Sequence, residues 1–147
     1  MKLLVINGPN LNFLGIREPD IYGKENYDYL LGIIAEKAKE LGVDVEVFQS
    51  NHEGAIIDRI QDAYMEKIDG ILINPGAYTH YSYAIFDALK SIGDIPKVEV
   101  HISDINARED FRKQLITTPA SDKVIAGRGL KGYLDGIDEL MDMIKGR

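Results

Sequence analysis

Strand-like and helix-like spacings of apolar residues alternate along the chain. Leu3 to Ile6 is an unbroken apolar run, as in a short buried strand. Leu30, Ile33, Ile34, Ala38 and Leu41 then recur at helical intervals, behind Asn26, a residue suited to cap the helix, and ahead of Gly42, suited to end it. Val43 to Phe48 alternates Val, Asp, Val, Glu, Val, Phe, which predicts a strand at a sheet edge or with one exposed face. A second helix has Ile56, Ile57, Ile60, Ala63 and Tyr64 on one side, with Asp58, Arg59, Asp62 and Glu66 on the other. Gly70 to Ile73 is again unbroken, as expected of a central strand covered on both faces. A third helix carries Ile85, Leu89 and Ile92, and Pro96 to His101 is a fourth strand. Ser103-Asp104 predicts the cap of a short helix through Phe111. Lys123 to Ala126 is a fifth strand, and a last helix runs to about Lys145 with Leu134, Ile137, Leu140, Met141 and Ile144 inward. Residues 114 to 122 show no clear period.

Strand and helix alternate five times, which argues for an α/β fold with a parallel sheet and helices on both faces. Five strands in a chain of 147 residues predict one flavodoxin-like domain over residues 1–147, with strand order 2-1-3-4-5 and the Val43 strand at an edge. In such sheets ligands bind beyond the carboxyl ends of the strands, so the chemistry is expected where each strand runs out.

Composition narrows the function. A net charge of -7 repels phosphate backbones and no basic cluster offsets it, so nucleic acid is not an expected partner. No apolar run approaches the roughly 18 residues of a membrane span, and the opening Met1 to Ile6 is too short for a signal peptide. A cytoplasmic protein with no membrane partner is expected. Zero cysteines exclude disulfides, thiol nucleophiles and cysteine-ligated metal.

Polar residues gather at three strand ends: Asn7 to Asn12 after the first, Asn74-Pro75-Gly76 after the third, and Glu99 to Ser103 at the fourth. Glu99 precedes His101 by two residues, so both side chains lie on one strand face, where the carboxylate can hold the imidazole protonated as a general acid. Arg108 and Arg112, four apart on the expected short helix, point toward the same mouth and suggest an anionic substrate such as a carboxylate. The loop from Asn7 to Gly23 is longer than most loops of compact domains, and its apolar Leu11, Phe13, Leu14, Ile16 and Ile21 suit it to cover a pocket. It carries Arg17 and Tyr22, and a guanidinium beside a phenol favours the phenolate, a usable base. Each of these residues also has an ordinary structural use. Tyr22 can pack in its loop, His52 and His80 can cap helices, Arg108 and Arg112 can form a solvated face, and Asn74 to Gly76 can be only a turn.

The blocks NGPNLNFLGIREPDIYG, QSNHEG, INPGAYTHYS, VEVHIS and REDFR, in this order and spacing over residues 5 to 133, resemble the type II 3-dehydroquinate dehydratases. The resemblance implies cofactor-free, metal-free dehydration of 3-dehydroquinate to 3-dehydroshikimate by anti elimination through an enolate, in the shikimate or quinate pathway. It implies Tyr22 as the base, Arg17 on a mobile lid as the charge stabiliser, and Arg108 as a second support of the ionised tyrosine. His101, oriented by Glu99, is implied as the acid. Asn10, Asn12 and the Asn74 to Gly76 turn are implied to hold a water at the enolate oxygen, with Asn74 also touching substrate. Ile102 and Ser103 match a carboxylate cradle, His80 and Arg112 match residues that bind ring hydroxyls, and Asp87 matches a residue reaching in from a neighbouring subunit. The family's assembly implies a homododecamer built from trimers. Residues 114 to 123, QLITTPASDK, depart from the family's usual serine-containing segment, as do Tyr81 and Phe86 around the third helix.

A binding module on the same fold is the rival class. A phosphoacceptor receiver needs an acidic pair after the first strand and an aspartate after the third, where this chain has Asn7-Gly8 and Asn74. A flavin-binding domain needs a hydroxyl-rich phosphate loop after the first strand, and GRGLKG after the last strand is no substitute for it.

Overall fold

The computed structural model describes residues 1–22 and 24–147, Tyr22 by its backbone alone. Strand β1 (Lys2–Asn7) pairs in parallel with β2 (Asp44–Gln49) on one side and β3 (Gly70–Asn74) on the other. Strands β4 (Lys97–His101) and β5 (Lys123–Ala126) continue the sheet, giving the order β2-β1-β3-β4-β5. The expected order and the edge position of the second strand both hold.

The unbroken apolar runs are explained by burial on two faces. In β1, Leu3 and Val5 point to one side, where they pack with Leu72, Val98 and Val100 against α2 (Tyr27–Leu41) and α5 (Lys131–Lys145). Leu4 and Ile6 point to the other and pack with Ile71 and Ile73 against α3 (Glu53–Met65) and α4 (Tyr83–Ser91). Each such side chain contributes about 1.5–3 kcal/mol by leaving water, so a one-residue slip of β1 is strongly opposed. Asn26 caps α2 by accepting from Tyr29 N, and Gly42 ends it with a left-handed φ of 68°, as anticipated.

Four expectations need correction. The loop after β1 is partly helical, with a 3-10 turn at Leu11–Phe13 and a short helix α1 (Pro19–Tyr22). The stretch 103 to 113 is not one helix but two 3-10 turns, Ile105–Ala107 and Asp110–Lys113. Its only large apolar residues are Ile105 and Phe111, and Phe111 is exposed, so no apolar stripe rewards a continuous helix. Tyr64 faces solvent rather than the core. Arg59, expected on the polar face of α3, is 8% exposed, because Glu46 on the edge strand and Glu66 beyond the helix both bond its guanidinium.

Candidate active site

A cleft of about 170 Å³ opens at the carboxyl ends of β1, β3 and β4. Asn10, Arg17, Asn74, His80, His101, Ile102, Ser103, Arg108 and Arg112 all line it. These come from seven separate stretches of the chain, and the sheet order is what brings them together.

The floor is set by a close approach of two turns. Gly8 N donates to Asn74 O at 2.8 Å, and a β-carbon on Gly8 would stand 2.3 Å from the Pro75 carbonyl oxygen. Gly76 has φ +61° and packs on Pro9, so a side chain there is opposed both by backbone conformation and by space. Below the floor lies a buried polar network. Tyr133 donates to Asn7 Oδ1 at 2.6 Å and accepts from Asn74 Nδ2 at 2.9 Å, while Asn74 Oδ1 accepts from Gly76 N at 3.0 Å. The Asn7 amide reaches Tyr27 Oη at 3.3 Å. Burial pushes the Tyr133 phenol far above its ordinary range, so it is a fixed neutral hydroxyl here.

The end of β4 carries a histidine–carboxylate pair. His101 Nε2 lies 2.8 Å from Glu99 Oε2, and the two side chains sit on one face of β4 as their spacing requires. Glu99 is 0% exposed. Burial raises its carboxyl, but the His101 ring and the hydroxyls of Thr117 and Thr118 outweigh that and hold it below the ordinary carboxylate value.

Cations also line the cleft. Arg108 Nη1 donates to Ser103 Oγ at 3.3 Å, and its Nη2 stands 3.6 Å from Glu18. Arg112 Nε pairs with Glu109 at 2.7 Å and its guanidinium lies over the Phe111 ring. The two arginines thus converge on the cleft without sharing a helix face. His80 Nδ1 bonds the Gln114 carbonyl at 2.9 Å, and a carbonyl only accepts, so Nδ1 carries the hydrogen. Burial, together with the positive charge of Arg112 and Arg108, holds His80 below its ordinary value and keeps its ring neutral. Nε2 is then an acceptor.

One anticipated cleft residue among the described residues falls elsewhere. The 3-10 turn at Leu11–Phe13 carries Asn12 away from the cleft lining, to 3.4 Å from Gln49 Nε2 at the end of β2. Asp87 is exposed on α4 and does not line this chain's cleft. The Tyr22 side chain lies outside the described residues, as does Gly23, although the backbone of α1 follows the Arg17 segment. Sequence reasoning missed the network on Tyr133 and the threonines around Glu99. Tyr133 precedes Ile137 by four residues and so shares the inward face of α5, a spacing that marks its burial but not the partners of its hydroxyl.

Among the described residues no group of histidines and carboxylates is arranged to hold a metal ion, and no helix is long and apolar enough to cross a membrane.

The model of the family described as Dehydroquinase class II matches residues 1–141. The chain is 60% identical over 143 residues to a 3-dehydroquinate dehydratase of Lachnospira eligens, covering 97% of each. It is 55% identical over 145 residues to one from Clostridium perfringens, covering 99% of this chain and 100% of the other. The crystal structure of the type II dehydroquinase from Butyrivibrio crossotus superposes with a TM-score of 0.95 at 62% identity, over 96% of this chain and 97% of that one. That of the type II dehydroquinase from Propionibacterium acnes gives 0.89 at 42% identity, over 98% and 96%. A match this complete in both sequence and backbone leaves one assignment, and the chain belongs to the class II dehydroquinases.

Proposed function

We propose that the chain dehydrates 3-dehydroquinate to 3-dehydroshikimate by anti elimination through an enolate, with Tyr22 as base and His101 as acid. The observation that carries this reading is the His101–Glu99 pair at a cleft that Arg17, Arg108 and Arg112 also line. A cationic cleft in an acidic chain suits a small carboxylic acid, and a carboxylate-steered imidazole suits protonation of a poor leaving group.

The Tyr22 phenolate takes the proton beside the ketone, and the electron pair moves onto the carbonyl oxygen as an enolate. Arg17 stabilises that charge, and Arg108 supports the ionised phenol. Asn10 and the Asn74 to Gly76 turn hold a water at the enolate oxygen. As the enolate collapses, the carbon–oxygen bond of the leaving hydroxyl breaks and His101 supplies the proton that turns it into water. Acid and base assistance are each worth about 10² to 10⁴ in rate, and oriented donors at the oxyanion contribute comparably. Ser103 and the Ile102 backbone cradle the substrate carboxylate, while His80, as an acceptor, and Arg112 bind the ring hydroxyls. Asp87 completes a neighbouring subunit's site in a dodecamer of trimers.

The test is to add 3-dehydroquinate to the purified protein and follow the enone absorbance of the product. Absorbance should develop with wild type and not with Tyr22→Phe. A Tyr22→Phe protein that keeps most of the activity rules out this mechanism.

A further inference from the structure

Glu99 has more hydrogen-bond donors than the steering of one histidine needs. Oε2 faces His101 Nε2 at 2.8 Å and also accepts from the Thr118 hydroxyl. Oε1 accepts from the Thr117 hydroxyl at 2.7 Å. Thr79 Oγ1 lies 2.8 Å from Thr117 Oγ1 and 3.4 Å from Glu99 Oε2. A hydroxyl has one hydrogen, and that of Thr117 is directed at Glu99, so the short contact between the threonines is filled by the hydrogen of Thr79. The direction therefore runs from Thr79 to Thr117 to Glu99.

These threonines come from two segments that the backbone clamps together. Thr79 belongs to the 3-10 stretch Gly76–His80, and its carbonyl accepts from Ile116 N at 2.7 Å and from Thr117 N at 3.3 Å. Thr79 and Thr117 are fully buried and Thr118 is half-buried. The hydrogens of Thr117 and Thr118 point to the carboxylate, and that of Thr79 points to Thr117. A threonine could accept from a protonated Glu99 only by turning its own hydrogen away from the carboxylate and giving up that donation. The cluster therefore decides which partner holds the hydrogen that Glu99 and His101 share.

We propose that Thr117 and Thr118, backed by Thr79, are positioning residues for the acid step: they keep Glu99 a pure acceptor, so the shared hydrogen stays on His101 Nε2 and Nδ1 is the ring nitrogen presented to the cleft. Removing these donors makes the carboxylate more basic, and it then draws the hydrogen toward itself. The imidazole, accepting where it had donated, becomes a weaker source of protons. The turnover part of this inference rests on the reading of His101 as the acid. The position of the hydrogen does not.

The test uses Thr117→Val and Thr118→Val, which keep side-chain shape and remove the hydroxyl, with Thr117→Ser as the variant that retains it. In 15N-labelled protein, the His101 Nε2 resonance, assigned by its loss in His101→Asn, should sit at the protonated-nitrogen position in wild type. It should move toward the unprotonated position in T117V/T118V and return in Thr117→Ser. With 3-dehydroquinate, T117V/T118V should lose about tenfold or more in kcat with KM changed by no more than about twofold, and Thr117→Ser should be close to wild type. Either readout staying at its wild-type value in T117V/T118V overturns the proposal. If the buried Thr117→Val does not fold, Thr118→Val alone carries both readouts from its half-buried position, with the same directions. If the wild-type protein fails to dehydrate 3-dehydroquinate, the proposed function fails, and the 15N readout still decides whether the threonines hold the hydrogen on His101.

Discussion

Tyr133 Oη receives a hydrogen bond from Asn74 Nδ2 at 2.9 Å, joining the last helix to the strand end that floors the cleft. Tyr133→Phe deletes that acceptor and also the donor to Asn7. An unsatisfied buried polar group costs about 1–3 kcal/mol, so the variant should lose roughly that much stability in urea unfolding. Its fold should persist, because the ring itself stays packed against Leu72 and Val100 in the same core. An unchanged unfolding midpoint would show that the network adds nothing to stability.

Arg17 is in the cleft lining and should act on charge that develops only during the reaction. Arg17→Ala should therefore lower kcat by about 10² or more while KM for 3-dehydroquinate changes far less. Steady-state kinetics checks the split; an unchanged kcat removes Arg17 from the site.

His80 offers Nε2 as an acceptor only while its ring is neutral. Burial and the nearby arginines place its titration below the ordinary value of 6.5. KM should accordingly be flat through neutral pH and begin to rise only on acidification below about 6.5, as the ring gains a proton and its acceptor is lost. His80→Ala should raise KM at pH 7 and abolish this acid-side rise. A KM profile identical in wild type and His80→Ala would show that His80 does not meet the substrate.

Hydrogen bonding from Arg59 holds Glu46 below its ordinary carboxylate value of 4.5. A depressed folded-state value means that the contribution to stability is complete above about pH 4.5 and is lost as pH falls through the folded value. Glu46→Gln should thus be slightly less stable than wild type at pH 7, and its stability should fall less steeply below pH 4.5. Glu46 is nearly half exposed, so the difference should be about 1 kcal/mol or less. Chemical denaturation at pH 3.5, 4.5 and 7 measures it; parallel curves for the two proteins would exclude the linkage.

The sheet was legible because β1 and β3 carry unbroken apolar runs and the edge strand β2 alternates. The site was legible where it depends on strand ends alone: Asn10, Asn74, His101, Ile102 and Ser103 line the cleft because β1, β3 and β4 are neighbours. Arg108 and Arg112 reach the cleft for a different reason than their spacing suggested, since two short 3-10 turns replace the expected helix. Residues 114 to 122 carried no period because they run along Thr79 and Glu99 and bond to them, with the three-residue 3-10 turn Thr118–Ala120 too short to impose a pattern. Tyr133 was overlooked because its hydroxyl finds partners 59 and 126 residues away in sequence, a separation that no local pattern reports. Arg59 was assigned to solvent for the same reason, as Glu46 lies on another element.

The contact between Gly8 and Pro75 has a bearing on what the enzyme can accept. With no room for even a methyl group between those turns, the base of the cavity is a rigid anvil whose height is fixed by the sheet itself. Arg17, also in the lining, stands on a segment bracketed by the left-handed residues Gly15 and Glu18. The base of the cleft is thus set by the packing of two strand ends, and the Arg17 charge by a separate turn of the chain.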